Sequence, residues 1–486
     1  MILESEKMAL SRHVHKSNPW QLRVGERRSL LLVGDFLVAL IALGISLYIW
    51  GSSAKFFGGF SIEFLQKRPP QWFYLLPAIW LVLMVELYDM RRAGNRAATV
   101  RGVILAALIG LSIYFALFFA ADKILNQDLP RMGFTVFISA TFVLTLIWRL
   151  LYIRTFTAPQ FMRRVILVGG GRTGQILLNI INDLWPPPFF MVGIIDDDPR
   201  KMSSEIQGLR VLGTSEQLLD VVRQHNISDI IVAISGEMQG CMFQALLDAQ
   251  ERGTEITRMP VAYEELLGRV PIQLLEADWI LRSFVDQARV SGFYELGKRL
   301  VDILGGLIGT ALFLIVFPFA SLAILIDDGW PIFYGQTRSG RGGQPYRILK
   351  FRTMRRDAEA DGRPKWAKED DERATRVGRF LRKTHLDELP QFINVLKGDM
   401  SLVGPRAERP ELVEMFQRHV PFYRARLLVK PGITGWAQVN FGYASTIEET
   451  VTKLEYDLYY IKHRNIITDL VILLRTPSTV FGFRGR

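Results

Sequence analysis

Apolar runs alternate with basic loops in the first third of the chain, and this pattern predicts helices that cross a membrane. Each run approaches the roughly 20 apolar residues that an α-helix needs to span a bilayer. The runs are Leu30–Trp50, Trp72–Tyr88, Val103–Ala121 and Gly133–Trp148. We therefore predict a bundle of four transmembrane helices over residues 30–152, preceded by a polar and basic tail over residues 1–29.

The distribution of arginine and lysine predicts how this bundle is oriented. Basic residues precede the first run, separate the second from the third, and follow the fourth, whereas the other two loops contain fewer. Short loops that are rich in lysine and arginine stay on the cytoplasmic side of a membrane. We therefore predict that the N-terminus, the middle loop and everything after Tyr152 are cytoplasmic.

A fifth apolar run, Ile303–Ile326, is long enough to cross a bilayer but has basic residues on both sides. Lys298 precedes it and Arg338 follows it, and Pro318 interrupts it. Proline inside a helix removes a hydrogen bond and kinks the axis. We predict a re-entrant helix over about residues 300–326 that enters and leaves on the cytoplasmic face. A plain fifth span is the alternative.

Short apolar runs alternate with helical patterns over residues 163–262 and predict a Rossmann-like α/β domain. The strand Val165–Val168 leads into a glycine-rich turn and then into the helix Gln175–Asp183. This G-x-G-x-x-G spacing, with an acidic residue after the next strand, is typical of a dinucleotide-binding turn. A bound nucleotide or NAD-like ligand is one interpretation, and a scaffold or regulatory domain is the other. The candidate ligand residues are Gly169, Gly171, Gly174 and Asp196.

The composition favours membrane and phosphate partners over nucleic acid. The net charge of +11 accompanies a hydrophobic content of 49% over 486 residues. Basic residues beside apolar runs are typical of proteins that meet anionic lipid headgroups, and no nucleic-acid-binding motif is present. Cys241 is the only cysteine, so the chain can form no internal disulfide.

An Asp-Glu pair between two arginines carries the strongest chemical signal. Asp387 and Glu388 precede Pro390, and an apolar-periodic run follows as far as Gly398. Proline suits the first turn of a helix and glycine the position after its end, so Asp387 is predicted near a helix N-terminus, where anions are favoured. An ionised carboxylate there can be a nucleophile, and its neighbour can bind a metal ion. A simple helix cap, or a capping box with Thr384, is the alternative.

Five ordered motifs around this pair resemble one family. They are Lys350–Met354, Leu386–Gln391, Asn394–Ser401, Val403–Arg406 and Pro431–Gly435. From about Lys298 onward the chain resembles the bacterial polyprenyl-phosphate sugar-1-phosphate transferases, and as a whole it resembles their long form. Two positions depart from the family pattern: Ala407 replaces the last proline of Pro-Arg-Pro, and His385 replaces a serine before the aspartate.

The resemblance implies a reaction and a set of site residues. It implies transfer of a sugar-1-phosphate from a UDP-sugar to polyprenyl (undecaprenyl) phosphate, with a covalent phospho-sugar aspartate and release of UMP. This is the first membrane step of exopolysaccharide, capsule or O-antigen synthesis, at the bacterial inner membrane. Asp387 would be the nucleophile and Glu388 the ligand of Mg²⁺, with Asp399 a weaker candidate for the metal. The implied substrate and phosphate contacts are Lys350, Arg352, Arg382, Pro405, Arg406, Gly432 and Thr434.

These observations together predict a membrane protein of three parts. A four-helix transmembrane bundle precedes the Rossmann-like domain, and a linker over residues 263–297 leads to a mainly α-helical, monotopic catalytic domain over residues 298–486. Membrane lipids, the UDP-sugar donor and polyprenyl phosphate are the predicted partners. A homodimer is also predicted, because the chain is a large membrane protein with an additional α/β domain.

Two other functions explain part of the sequence. A membrane-anchored, NAD-dependent nucleotide-sugar dehydratase or epimerase would use the glycine-rich turn, and Tyr294 with Lys298 forms the Tyr-x-x-x-Lys spacing of such enzymes. That interpretation leaves the C-terminal motifs unexplained. A non-catalytic regulator of polysaccharide assembly is the second alternative, against which the intact Asp387–Glu388 pair argues.

Overall fold

The computed structural model describes residues 22–53, 59–124, 130–156, 162–184, 187–274, 292–355, 358, 372–442 and 446–480. The chain divides into two compact units, Met1–Leu266 and Leu267–Arg486. Most of the described elements are helices, and the first unit also contains a sheet of mainly parallel strands.

The first unit begins with helices that pack around a common apolar core. Leu31, Trp80, Met84 and Val103 are buried together in this core. The helices are α1 (Val24–Ser53), α2 (Ile62–Lys67), α3 (Leu76–Leu83), α4 (Met90–Ala93), α5 (Arg96–Ile124) and α6 (Arg131–Phe156). Of these, α1, α5 and α6 are long and apolar enough to cross a membrane, in agreement with three of the four predicted spans.

The second predicted span, Trp72–Tyr88, is helical but is not one regular α-helix, so its crossing of a membrane stays a prediction. A 3₁₀ turn over Gln71–Leu75 leads into α3, and a second 3₁₀ turn covers Val85–Tyr88. The eight residues of α3 rise about 12 Å, far less than the roughly 30 Å of a bilayer core. Pro77 lies in the first turn of α3, where its missing N–H leaves no hydrogen bond unmade.

A buried ion pair accounts for the break at the end of this segment. Arg149 of α6 contacts Asp35 of α1, with Nη2 and Oδ2 2.6 Å apart, and both side chains are almost fully buried. The same guanidinium donates from Nη1 to the carbonyl oxygen of Leu87 at 2.9 Å. The Leu87 carbonyl group therefore has a hydrogen-bond partner even though it lies outside a regular α-helix.

The sheet of the first unit has six strands in the order β3-β4-β2-β1-β5-β6. The pairs that join β4, β2, β1, β5 and β6 are parallel, and β3 is antiparallel to β4. The strands are β1 (Arg164–Val168), β2 (Phe190–Ile195), β3 (Glu205–Ile206), β4 (Leu209–Gly213), β5 (Asp229–Val232) and β6 (Glu255–Arg258), with helices α7 (Arg172–Asp183), α8 (Leu218–Gln224), α9 (Gly240–Glu251) and α10 (Met259–Leu267). The predicted strands and the parallel sheet are thus confirmed, with ends that differ by one or two residues.

The second unit is built on one long helix, α11, which covers Gly292–Asp328 without interruption and includes Pro318. A hairpin of β7 (Phe333–Ser339) and β8 (Pro345–Phe351) follows it. The remaining elements are α12 (Arg376–Lys383), α13 (Gln391–Lys397), β9 (Ser401–Val403), α14 (Pro410–Gln417), β10 (Gly432–Thr434), α15 (Trp436–Asn440), α16 (Ile447–His463) and α17 (Ile466–Val480).

Glycines on one face let α11 approach α13 and β9 closely. A Cβ atom at Gly309 would lie 2.2 Å from the ring of Phe392, and one at Gly305 would lie 2.4 Å from Leu402. Beyond the glycines, Phe313 packs in a core with Phe351 of β8. The packed face of α11 therefore lies along the parts of the chain that contain the predicted site.

The opposite face of α11 is apolar and exposed. Ile308, Ile315 and Phe319 are between 66% and 74% exposed. Among the described helices, α11 is the fourth that is long and apolar enough to cross a membrane. One helix thus has a face packed on the second unit and a face suited to lipid.

We predict that Gly309→Leu destabilises the second unit by about 1–3 kcal/mol, the usual effect of overpacking a close contact. The leucine side chain cannot enter the space taken by the Phe392 ring. Chemical unfolding in detergent measures the effect. Gly292→Leu in the same helix is the control, because a Cβ atom at Gly292 meets nothing within 4 Å. Equal stability of the two variants would contradict the close packing of α11 on α13.

Candidate active site

The Asp-Glu pair lies in a 3₁₀ turn, Leu386–Glu388, that connects α12 to α13. As predicted, Pro390 stands at the start of α13, and Gly398 ends that helix in the left-handed conformation with φ of 91°. His385 precedes the turn, also in the left-handed conformation with φ of 57°. The side-chain oxygen of Thr384 donates to the carbonyl oxygen of Phe380 at 2.9 Å instead of forming the alternative capping box.

Glu388 is held by two cations that come from distant parts of the chain. Lys350 Nζ lies 2.6 Å and Arg406 Nη2 lies 2.7 Å from the same carboxylate oxygen, Oε1. Burial alone raises the pKa of Glu388, but the charges of Arg406 and Lys350 outweigh burial and hold the pKa well below its usual range. Glu388 is therefore ionised at neutral pH.

Asp387 has the opposite environment, although it is the adjacent residue. Its side chain is buried, and burial raises its pKa, to which the negative charge of Glu388 adds; Lys350 and Arg406 oppose this effect. Among the described residues none donates a hydrogen bond to the Asp387 carboxylate. This group is thus desolvated and its oxygens are not committed to other contacts, which suits a nucleophile more than a structural cap.

Backbone contacts fix the turn that supplies Arg406. The Gly432 amide donates to Pro405 O at 2.9 Å, and the Gly404 amide donates to Thr434 O at 2.9 Å. A Cβ atom on Gly432 would lie 2.1 Å from the Gly404 nitrogen, so only glycine allows these two backbones to approach so closely. Pro405, Gly432 and Thr434 therefore hold the position of Arg406. The Thr434 side chain is buried against Thr476, with the two hydroxyl oxygens 2.8 Å apart.

A second layer of buried charges lies behind this turn. Arg426 Nη2 donates to Arg406 O at 2.9 Å and also contacts Asp457 at 2.9 Å. Glu408 contacts Arg426 and, at 2.8 Å, Lys453. Burial raises the pKa of Glu408, but Lys453 and Arg426 together lower it to about 2. The sequence analysis missed this network, because its members lie far apart in the chain and share no motif.

A cavity of about 260 Å³, open to solvent, lies beside Glu388. Three of its side chains are cationic and only one is anionic, so the cavity favours an anionic ligand such as phosphate. The lining residues that matter for charge and hydrogen bonding are Arg338, Lys350, Glu388, Gln391 and Arg406. Arg338 and Gln391 were not predicted as site residues. Gly432 also lines this cavity, and Pro405 lines a neighbouring one that shares Arg406.

Three of the predicted substrate and phosphate contacts, Arg352, Arg382 and Thr434, line neither of these two cavities. Arg352 is buried and contacts Asp328 at 3.2 Å and the carbonyl oxygen of Gly329 at 2.5 Å, so it joins β8 to the end of α11. Arg382 lies in the last turn of α12 and is partly buried. Asp399 accepts a hydrogen bond from Asn394 at 3.2 Å, past the end of α13. Direct phosphate contacts by Arg352 and Arg382 stay predictions.

The carboxylates near the cavity determine whether Mg²⁺ could bind. Within the described part of the chain, no three His, Cys, Asp or Glu side chains converge into a metal site. Mg²⁺ is nevertheless often held by one or two carboxylates together with substrate phosphates. Glu388 fits that role as an ionised oxygen donor beside an anion-binding cavity, although its Oε1 atom also contacts Lys350 and Arg406.

The glycine-rich turn of the sheet has the geometry expected for its sequence. Gly169 has φ of 101°, a Cβ atom on Gly171 would meet nothing within 4 Å, and one on Gly174 would lie 2.1 Å from Gly169 O. A tight turn, open approach and close helix packing are the three roles of glycine in dinucleotide-binding turns. Asp196 Oδ2, however, accepts from Gly170 N at 2.7 Å and from Lys201 Nζ at 2.8 Å. The carboxylate predicted to contact a ligand thus bonds to the turn itself.

The Tyr-x-x-x-Lys pair takes part in structural contacts. Tyr294 OH and Lys298 Nζ each lie 3.0 Å from Asp469 Oδ2, and Lys298 also donates to Val403 O at 3.0 Å. These bonds join α11 to α17 and to β9. The pair therefore has a role in packing that explains its presence without dehydratase chemistry.

Comparisons with known proteins agree with this geometry. Residues 293–483 match the family described as bacterial sugar transferase, and residues 84–260 match the family described as CoA-binding domain. Three relatives are named as undecaprenyl-phosphate sugar phosphotransferases. An Aeromonas hydrophila protein named UDP-N-acetylgalactosamine-undecaprenyl-phosphate N-acetylgalactosaminephosphotransferase is 42% identical over 224 residues. Proteins named UDP-glucose:undecaprenyl-phosphate glucose-1-phosphate transferase are 43% identical in Caulobacter vibrioides and 41% identical in Escherichia coli.

The matched segments cover part of each protein. They comprise 46% of this chain for the Aeromonas relative and 38% for each of the other two. The same segments cover 52% of the Aeromonas protein, 70% of the Caulobacter protein and 40% of the Escherichia protein. This chain therefore spans about half the length of the first of these relatives.

We predict opposite effects on stability when the two neighbouring carboxylates are replaced by amides. Glu388→Gln removes the countercharge of two partly buried cations and should cost about 1–3 kcal/mol at pH 7, less than the loss of one partner from a fully buried pair. Because the folded pKa of Glu388 is lowered, its contribution is present above about pH 4.5 and is lost as the pH falls toward the folded value. Asp387→Asn removes a buried carboxylate of raised pKa and should leave stability unchanged or increased at pH 7.

Unfolding in detergent at pH 7 and at pH 4 measures both effects. Glu411→Gln, at a side chain that is 63% exposed, serves as the control and should change stability by less than about 0.5 kcal/mol. A stable Glu388→Gln variant, or a strongly destabilised Asp387→Asn variant, would contradict the assigned environments.

Proposed function

The chain belongs to the bacterial sugar transferase family, and from this premise we propose that it transfers a sugar-1-phosphate from a UDP-sugar to polyprenyl phosphate. One observation carries the proposal: the buried Asp387, which accepts no hydrogen bond from any described residue, lies next to Glu388 and its two cations, Lys350 and Arg406. The product would be a lipid-linked sugar diphosphate, the starting unit of exopolysaccharide, capsule or O-antigen. The relatives are named for two different sugars, so the sugar is a matter for experiment.

In the proposed first step, a carboxylate oxygen of Asp387 attacks the sugar-linked phosphorus of the donor. The bond from that phosphorus to the bridging oxygen breaks, and UMP leaves with the electron pair. In the second step an oxygen of polyprenyl phosphate attacks the same phosphorus and releases the Asp387 carboxylate. A covalent intermediate divides one difficult displacement into two easier ones.

The surrounding charges suit this chemistry, because phosphoryl transfer depends mainly on positioning and charge neutralisation. Arg406 and Arg338 line the cavity and can donate to phosphate oxygens. Lys350 pairs with Glu388, and its charge opposes the rise in the pKa of Asp387 that burial causes. Glu388 would hold Mg²⁺, which when bound supplies further positive charge to the phosphates.

We also propose that α11 is re-entrant, and its contacts support this topology. Near its N-terminus Asp302 accepts from Leu402 N at 2.8 Å, and at its C-terminus Asp327 accepts from Val377 N at 2.8 Å. Both ends thus contact the same compact unit, which packs along the helix between them. A helix that crossed the bilayer would take this packed face, with its charged residues, to bilayer depth, where charges are costly.

We make two further proposals about the first unit: that its sheet domain is Rossmann-like, and that this domain binds a ligand. The order of its parallel strands and its glycine-rich turn support a Rossmann-like domain with a nucleotide or NAD-like ligand at Gly169, Gly171 and Gly174. For such a ligand to use the turn, Asp196 would exchange its bond to Gly170 for one to the ligand. Two further predictions remain: that the protein is a homodimer, and that the Rossmann-like and catalytic domains lie on the cytoplasmic side of the inner membrane.

We predict that Asp387→Asn abolishes UMP release and any covalent sugar-phosphate adduct, because an amide is not a comparable nucleophile. Membranes are incubated with polyprenyl phosphate and a panel of UDP-sugars, and UMP is measured. The exposed Glu411→Gln variant should keep full activity. Near-normal turnover by the Asp387→Asn variant would rule out the mechanism, and a keto-sugar product in place of UMP would favour the dehydratase.

We predict that both ends of α11 are labelled from the cytoplasmic side. Single cysteines at Gly292 and Gly340, in a Cys241→Ser background, are treated with a membrane-impermeant thiol reagent in sealed vesicles of each orientation. Labelling of the two positions from opposite faces would show that α11 spans the membrane. Pro318→Leu should favour such spanning, because it restores a helix hydrogen bond that proline removes.

A further inference from the structure

The cavity beside Glu388 contains a buried amide for which the described residues supply no partner. Gln391 is the first residue of α13 and is 3% exposed. Its Nε2 atom is buried and has no hydrogen bond within the described residues. In folded proteins almost all buried polar groups bond to protein or to ordered water, so an amide without a protein partner in the wall of an open cavity is a donor available to a ligand.

The neighbours of Gln391 define what that ligand would be. Lys350 and Arg406 already meet at Glu388 Oε1. Arg338 donates to Ala407 O from Nη1, while its Nε atom is buried without a partner in the described chain. The cavity thus has an excess of hydrogen-bond donors and positive charge. An acceptor-rich anion, such as a phosphodiester or pyrophosphate, satisfies these donors.

The fold keeps Gln391 in this wall. One turn further along α13, Asn394 accepts from Leu349 N at 3.1 Å and donates to Arg347 O at 2.9 Å. These two bonds attach the helix to β8, the strand that carries Lys350. The backbone of Gln391 is therefore held beside the strand that supplies a cation.

We propose that the Gln391 side chain donates a hydrogen bond to a non-bridging oxygen of the phosphoryl group that is transferred. This inference rests on the proposed function and adds a substrate-binding residue to it. Negative charge is spread over the non-bridging oxygens as the phosphoryl group is transferred. A neutral donor can hold such an oxygen without changing the pKa of Asp387, whereas a further cation would lower that pKa.

Two substitutions separate this role from packing. Gln391→Met keeps the length and removes the donor, and Gln391→Glu keeps the shape and adds a negative charge. A hydrogen bond to a charged group corresponds to roughly 10- to 100-fold in kcat/KM, so UMP release should fall by that factor in Gln391→Met and further in Gln391→Glu. The thermal midpoint of Gln391→Met should stay the same or rise, because an unpaired buried group is removed. Gln417→Met, at an exposed position in α14, should match the wild type in both measurements.

A second experiment tests Gln391 without measuring turnover. It measures the binding of inorganic pyrophosphate by calorimetry on the full-length protein in detergent. Weaker binding by Gln391→Met of about 10-fold or more, together with UMP release by the wild type, supports the proposal; the same loss of binding with no UMP release from any UDP-sugar would leave Gln391 as an anion contact only. That combination would overturn the transferase and retain the anion site. Wild-type affinity and turnover in a stable Gln391→Met variant would overturn the role of Gln391 and leave the transferase standing.

Discussion

Two cations meeting at one oxygen of Glu388 form the contact on which the second unit depends. A buried charge is tolerated only when its partners are close and themselves well placed. The β7–β8 hairpin delivers Lys350, and the close approach of Gly404 to Gly432 delivers Arg406. Arg426 then holds the carbonyl group of Arg406 from behind. The same two cations oppose the rise in pKa that burial and Glu388 cause at the neighbouring Asp387, which accepts no hydrogen bond within the described part of the chain.

The helix α11 gives this charged site a base that is compatible with lipid. Its polar residues lie near its two ends, where Arg299 donates to the carbonyl oxygens of Val395 and Leu396 and Asp327 accepts from Val377. Glycines and aromatic side chains occupy the packed face between those ends. In the proposed reaction between a nucleotide sugar and a lipid phosphate, such a helix would hold the site-bearing unit by its charged ends and offer an apolar face to lipid.

Local sequence patterns predicted most helices and strands well. They could not predict contacts between residues that are distant in the chain. The caps of α13, the strands of the sheet and the Asp387–Glu388 pair follow from short stretches of sequence. The break within Trp72–Tyr88 does not, because it involves a hydrogen bond from Arg149, 62 residues further along the chain. Arg352 likewise turns to Asp328, and Gln391 is distinguished only by an unpaired amide in a folded cavity. The family resemblance predicted the same kind of phosphate contact for Arg352 and Arg406. Only the folded structure shows that Arg406 lines the cavity whereas Arg352 bonds to Asp328.

The buried pair of Asp35 and Arg149 has a consequence for how the protein is made. Each charge is costly to leave alone within a bilayer, by about 2.5–3.5 kcal/mol on insertion scales. The two residues are 114 positions apart, a delay of roughly 6–23 s at 5–20 residues per second of synthesis. During that interval α1 holds an unmatched acid. Pairing with Arg149 would remove a cost of this size once α6 has been made, so α1 gains its full stability only when the bundle is complete.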